Sequence, residues 1–517
     1  MNRRDFLRTS AQAAAVLAAA ACSSSSSRGA GSSTSSPGVG GVTSTTRGNP
    51  PSLDTLAAHI HGRVVTPADP DFSVAHVLYD PIYDTITPTA VVQAADVHDI
   101  ATVLGLRRDY GTGVAIRGGG HSYGGWSTGT DLVLDVTRLR DIKIDTKGGT
   151  VQVGPGVRLY DLYNALDAQN VAVPAGTCPT VGITGLTLGG GHGLVSRAFG
   201  LTCDSLQAVD IVTADGDLHH CSAKENSDLF WALRGGGGGS FGVVTNLTYA
   251  LHDAPPDVTT FSVEWQWSEA ASGLAEWMAW VPTLPAQTTT IARLETTPVL
   301  VVAGVHLGTR DETRQLLAPL YSGVPTIQRS ATARSYGDAM LLEESCLHNR
   351  SDQCAPAPST GASPILGTRQ PFVATSAYFE HPLPVSAINA AIEAMNNHLP
   401  TAGSGTGTIQ FDSYGGAIAE VAPTATAFAH RNAFCSAQYA SFWTTPGSTD
   451  PHRAWLRATR ATLNPWSDGG AYVNYADPEL QGWAHAYWGN NLPQLQKVKQ
   501  KWDPQNLFSF AQSVPLP

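Results

Sequence analysis

Three runs of consecutive glycine, Gly118–Gly120, Gly189–Gly191 and Gly235–Gly239, constrain this chain more than any other feature. Ordering glycine is entropically costly, and a run makes sense where backbone must approach something more closely than a Cβ allows. Successive N–H groups from such a run can also converge on an anion. None of the three has the Gly-x-Gly-x-x-Gly layout opening a βαβ unit, and none ends in Gly-Lys-Ser/Thr, so the dinucleotide fingerprint and the P-loop are both poor matches. A single run reads as a tight turn. Three in one region, each beside apolar strand-like sequence, point to a cradle for a diphosphate.

The sequence around these runs alternates strand and helix. Ala90–Ala94 reads as a strand, Val97–Tyr110 as a helix and Gly113–Arg117 as a strand. Short β-branched runs follow at Leu132–Val136, Ile142–Ile144 and Val151–Val153, then a helix at Leu159–Ala168 and a strand at Leu206–Thr213. The stretch from about 255 to 465 differs: it is rich in Trp, with strand-like runs at Phe261–Trp267 and Val299–His306 and helical runs at Ala270–Trp280 and Val385–His398. The expected fold class is α+β. A mixed domain over 52–254 is completed by a C-terminal segment, 466–517, and 255–465 forms a second domain with an antiparallel sheet backed by helices.

The first residues read as an address. Arg3-Arg4-Asp-Phe-Leu precedes an apolar stretch, Ala13–Ala21, too short to span a bilayer, and small residues end it at Cys22. This order resembles a twin-arginine export signal over 1–22, a route for folded proteins. Leu17–Cys22 loosely resembles a lipoprotein cleavage box with Cys22 as the lipidated residue, which would place the protein outside the cell or at its envelope. Residues 23–51 are Ser, Gly, Thr and Pro and read as a flexible tether. A net charge of −11 speaks against nucleic acid as a partner. In an oxidising compartment Cys346 and Cys354 could pair across a polar loop, while Cys203, Cys221 and Cys435 read as buried thiols. No Cys-x-x-Cys pair suggests structural zinc, and no metal is expected.

Two residues beside the glycine runs carry chemistry. His121 lies in Ile-Arg-Gly-Gly-Gly-His-Ser-Tyr-Gly-Gly and Cys178 in Pro-Ala-Gly-Thr-Cys-Pro-Thr-Val-Gly. Alone, each would read as an ordinary structural residue. Together, Ile116–Gly124 and Gly176–Gly193 resemble the flavin-attachment segments of the berberine bridge enzyme-like oxidases, flavoproteins of the vanillyl-alcohol-oxidase type. The resemblance continues through 204–216, 228–245, Tyr472-Val-Asn-Tyr and Trp502-Asp-Pro-Gln-Asn-Leu-Phe, and is thin in the middle.

The resemblance implies FAD bonded covalently to His121 and Cys178, with Arg117, Gly118, Gly119, Gly120, Gly182, Gly189, Gly190, Gly191 and Asn506 contacting it. Val181 matches a position beside the flavin where a small side chain accompanies reactivity towards oxygen. Thr184 departs from the pattern, since many members have Gly there. For the catalytic base the resemblance points to Tyr475. Asp412 matches an acid of some sugar-oxidising members, and Gln438 is a further substrate-facing candidate. An unperturbed phenol is a weak base at neutral pH, and an ionised Asp412 would raise the Tyr475 pKa further, so Asp412 is assigned to substrate orientation or proton acceptance.

The expected function is therefore an FAD-dependent oxidase of a hydroxyl-bearing small molecule, first an aldose or oligosaccharide taken to its lactone, with oxygen reduced to hydrogen peroxide. A secondary-metabolite alcohol or a ring-forming oxidation is the alternative within the same chemistry. A ligand-capturing lipoprotein without activity is the opposing class, and it leaves His121, Cys178 and Tyr475 without a reason. A monomer is expected.

Overall fold

A computed structural model describes residues 49–296, 298–341, 369–398, 405–444 and 448–517. The export signal with Cys22, the tether up to residue 48, and the Cys346 and Cys354 loop lie outside the described residues. Residues Arg47–Pro517 form one compact unit.

The first sheet combines β1 (Arg63–Val65), β2 (Ala90–Gln93), β3 (Val114–Arg117) and β4 (Leu132–Asp135) in the order β1-β2-β4-β3. β2 and β3 each run parallel to β4, and β1 is antiparallel to β2. The crossover between β2 and β3 is the helix Val97–Tyr110. Its start is set by the Asp96 side chain, which accepts from the Asp99 N–H, and its end by Gly111 at φ 77°. The all-buried burial of β2 and β4 is what a parallel sheet covered on both sides requires.

A second, antiparallel sheet has the order β5-β6-β10-β8-β9, from β5 (Ile142–Asp145), β6 (Thr150–Val153), β8 (Leu206–Val212), β9 (Leu218–Ser222) and β10 (Val243–Ala250). A small ladder pairs β7 (Val171–Ala172) with β11 (His252–Asp253). The C-terminal segment returns to this region. Lys499, fully buried, donates to Asp503 at 2.6 Å and to the carbonyls of Ser240 and Phe508 at 2.7 Å, so it ties the helix Leu492–Trp502 to the end of the third glycine run.

The third sheet is antiparallel throughout, with seven strands in the order β15-β12-β14-β13-β17-β18-β16. Its strands are β12 (Val258–Gln266), β13 (Thr288–Glu295), β14 (Val299–His306), β15 (Gln328–Arg334), β16 (Phe372–Phe379), β17 (Thr406–Ser413) and β18 (Cys435–Phe442). One face is covered by the helices Ala270–Trp280, Arg310–Ser322, Val385–Asn396 and Asp450–Leu463. Strand alternation decides what each face carries. Phe261, Val263 and Trp265 on β12, Ile409 and Phe411 on β17, and Cys435, Ala437 and Tyr439 on β18 all enter the core under these helices. A fully buried side chain such as Phe411 contributes about 1.5–3 kcal/mol. The residues between them, Gln410, Asp412, Ser436 and Gln438, therefore face the other way.

The helices and strands read from sequence are present with ends shifted by a few residues, including the antiparallel sheet backed by helices. Cys203, Cys221 and Cys435 are buried free thiols.

Candidate active site

A cavity of about 710 Å³ runs between the glycine-rich loops and the opposite face of the third sheet. The segments bearing His121 and Cys178 both line it, and they cross at their glycines. A Cβ on Gly119 would lie 2.2 Å from the Gly182 nitrogen, and one on Gly182 would lie 2.5 Å from the Gly119 nitrogen. No side chain fits at either position. This close crossing brings His121 and Cys178 to the same cavity, although 57 positions separate them in sequence.

His121 is fixed from two directions. Its Nε2 lies 2.8 Å from Thr180 Oγ1, and the Tyr79 ring stacks on it at 4.0 Å between centroids with 19° between planes. Burial first, and then the nearby Arg158 guanidinium, push its pKa down to about 3, so the imidazole is neutral at working pH. Cys178 is half-buried, in a turn closed by the Val181 N–H donating to the Cys178 carbonyl at 3.1 Å.

The facing wall comes from the third sheet and the Tyr472–Tyr475 turn. Tyr475 stacks on Tyr123 at 5.5 Å and meets Tyr472 edge-on at 5.0 Å. Burial, and after it the charge of Asp412, raise the Tyr475 phenol well above its usual pKa. Asp412 is 2% exposed; it accepts from Gln410 Nε2 at 2.9 Å and Ser436 Oγ at 3.3 Å. Gln410 and Gln438 are cross-strand partners on β17 and β18 and both line the cavity. Gln438 donates to the Tyr123 hydroxyl at 2.9 Å. Tyr472 has a different place: its hydroxyl accepts from the Gly191 N–H and from Asn474 Nδ2, both at 2.9 Å.

Gly118, Gly119, Gly120, Val181 and Gly182 line the cavity with His121 and Cys178, as do Gly236–Gly239 of the third run. Gly189, Gly190 and Gly191 are not in this lining. Their missing side chains make room for protein, since a Cβ would strike Asn474 at Gly189, Phe428 at Gly190 and Thr202 at Gly191. Arg117 is 2% exposed and paired with Asp135, to which its Nε donates at 2.9 Å and Nη2 at 2.8 Å, and its guanidinium also meets the carbonyls of Ala75 and His76. Asn506 is also outside the lining; it turns the chain after the Leu492–Trp502 helix with φ 54°. Thr184 lines the cavity, and its hydroxyl is satisfied by the Pro155 carbonyl at 3.0 Å. Gln410, Tyr123, Tyr79, Phe372, Trp126 and His192 are lining residues that sequence reasoning missed.

The lining fits a large planar cofactor bearing a diphosphate. Two loops expose glycine backbone, and Trp126 Nε1, Thr128 Oγ1 and His192 Nε2 are buried at the cavity without a protein partner. Unpaired buried polar atoms are costly, and a bound ligand is the usual reason for several in one cavity.

Comparison with known proteins agrees. Residues 88–222 match the family described as FAD binding domain, and 471–515 the family described as Berberine and berberine like. The FAD-linked oxidoreductase YgaK of Bacillus subtilis is 32% identical over 462 residues, covering 88% of this chain and 97% of its own. This chain belongs to the berberine bridge enzyme-like FAD-linked oxidases. Glucooligosaccharide oxidase of Sarocladium strictum is 31% identical over 452 residues, with 83% of this chain and 87% of that protein covered. Among solved structures, Physcomitrella patens BBE-like 1 superposes with a TM-score of 0.83 at 31% identity over 90% of this chain and 100% of its own. The protein is an FAD-dependent oxidoreductase of this oxidase family.

Proposed function

We propose that this berberine bridge enzyme-like oxidase carries FAD bonded to both His121 and Cys178. Its substrate is a carbohydrate hydroxyl, oxidised at the anomeric carbon to a lactone with dioxygen reduced to hydrogen peroxide. The observation that carries this reading is the pairing of two walls: His121 and Cys178 on one side of the cavity, and Tyr475, Gln410 and Gln438 on the other, with Asp412 behind. Two side-chain amides and the Tyr123 hydroxyl suit a polyhydroxylated molecule, while Phe372, Tyr79 and Trp126 supply aromatic surface for a sugar ring. The similarity to a protein named glucooligosaccharide oxidase supports the same substrate class.

His121 and Cys178 would hold the flavin ring, and backbone N–H groups of Gly118–Gly120, Gly238 and Gly239 would receive its diphosphate. Bound flavin supplies a two-electron acceptor for the substrate C–H. The remaining chemistry belongs to the chain. Because its pKa is raised, the Tyr475 phenol is protonated before reaction and acts as a relay. It takes the substrate's hydroxyl proton as it passes its own towards the Asp412 carboxylate. Gln410 and Gln438 orient the neighbouring hydroxyls.

Export completes the proposal. The Arg3-Arg4 segment would carry the folded, flavin-loaded enzyme out of the cytoplasm, with Cys22 as a lipid anchor. Peroxide release measured over aldoses, oligosaccharides and benzylic alcohols tests the substrate class, and turnover of benzylic alcohols alone would refute the carbohydrate reading. Flavin colour that washes out of acid-denatured protein would refute covalent attachment.

A further inference from the structure

We infer that Thr180 is a positioning residue for flavin attachment, its hydroxyl accepting from His121 Nε2–H and thereby making Nδ1 the nucleophilic nitrogen. The inference rests on the covalent reading of His121 proposed above.

A neutral imidazole has one N–H and one lone pair, and a partner that accepts at one nitrogen leaves the lone pair on the other. Here Nε2 is the nitrogen engaged, at 2.8 Å from Thr180 Oγ1. The Tyr79 ring lies nearly flat on the imidazole, which resists the ring flip that would exchange the two nitrogens. Thr180 is itself held. It is 7% exposed and sits in the turn that the Val181 N–H closes onto the Cys178 carbonyl, immediately before the Gly119–Gly182 crossing. One turn thus carries the second attachment residue and the group that orients the first.

A hydroxyl is suited to this place because attachment reverses the hydrogen-bonding need. Before the reaction Nε2 bears the proton and Thr180 accepts. A C–N bond then forms between Nδ1 and the flavin 8-methyl carbon as one of its C–H bonds breaks. The methyl group and the imidazole each lose one proton, and the electron pair passes through the flavin ring to dioxygen, which leaves as hydrogen peroxide. Afterwards Nε2 is a bare acceptor, and the same hydroxyl can rotate to donate to it. A methyl group in that position could do neither.

The test uses the full-length protein carrying Cys178→Ala, so that His121 is the only attachment point. This parent is compared with versions that also carry Thr180→Val or Thr180→Ser. Each is loaded with FAD in air, and acid-stable flavin is followed over time beside total bound flavin and thermal stability. Thr180→Val should bind FAD and attach it about tenfold more slowly, the order expected for one well-made hydrogen bond. Thr180→Ser should attach it at nearly the parent rate. Attachment by Thr180→Val at the parent rate would overturn the inference. So would equal loss of bound flavin and stability in both variants, which marks a purely structural side chain. If the parent itself attaches no flavin, the covalent reading of His121 fails, and this inference with it.

Discussion

Gly119 and Gly182 meet backbone to backbone, at a separation where neither could carry a side chain. The contact sets how the segments bearing His121 and Cys178 cross, and it makes Gly119→Ala a sharp probe. The new Cβ would press on backbone, which cannot yield as a flexible side chain can. Overpacking costs about 1–3 kcal/mol where the structure adapts, so Gly119→Ala should lower the denaturation midpoint and the amount of flavin the protein takes up. Gly105→Ala is the contrast. It lies inside the Val97–Tyr110 helix with no atom closer than 3.9 Å, and should gain about 0.5–1 kcal/mol. Equal midpoints for both variants would remove the crossing from its role.

Buried neutral histidines predict acid lability. Burial lowers His192 to about 4 and His398 to about 4. His398 is held there by Ser441 Oγ at 2.7 Å, which is also 2.7 Å from His452 Nδ1. In the unfolded chain these imidazoles bind protons below about pH 6.5. In the folded chain they stay neutral down to lower pH. The unfolded state therefore binds more protons between about 6.5 and 4, and stability is present above that window and lost as pH falls through it. Urea midpoints at descending pH should fall, and His398→Gln should make the decline shallower. A wild-type midpoint unchanged across the window would show that these rings are not buried neutral.

Oxygen reactivity should depend on Val181, which lines the cavity beside Cys178. Val181→Leu adds bulk where oxygen would reach the cofactor, so reoxidation of reduced enzyme should slow in stopped-flow mixing while reduction by substrate changes little. Unchanged reoxidation would assign oxygen access to another part of the wall.

Much of this was legible in sequence, and the misses share a physical cause. The helix Val97–Tyr110 and two of the seven third-sheet strands, β12 and β14, announce themselves through local caps and residue pattern, whereas the other five do not. His121, Cys178 and Val181 come to the cavity because they sit in long motifs beside glycine. The glycine runs say that something approaches closely; they do not say what. At Gly118, Gly120 and Gly238 there is room beside the cavity, at Gly119 it is the Gly182 backbone, and at Gly189–Gly191 it is Asn474, Phe428 and Thr202. Arg117 looked available for an anion because its partner is set by register: it stands opposite Asp135 in the β3–β4 pairing, which no local pattern reveals. Gln410 could have been found. It lies two residues before Asp412 on one strand, and period-2 alternation puts both on the same face.

The relay can be tested on three side chains together. Tyr475→Phe removes one oxygen from a ring stacked on Tyr123, so the fold and the flavin should survive. Anaerobic flavin reduction should fall about 10²- to 10⁴-fold, the usual range for a lost proton-transfer group. Asp412→Asn keeps the shape and removes the charge that raises the Tyr475 phenol. If Asp412 acted only by that charge, the variant would lower the phenol's pKa and leave reduction as fast or faster. If Asp412 receives the proton, reduction slows and loses its dependence on pH at the acid side. Tyr472→Phe separates structure from chemistry. Its hydroxyl accepts the buried Gly191 N–H, and orphaning that donor costs about 1–3 kcal/mol of stability while the reduction rate stays near wild type. Reduction at the wild-type rate in Tyr475→Phe across the pH range would exclude the phenol from the proton path, and would leave Asp412 to take the substrate's proton directly.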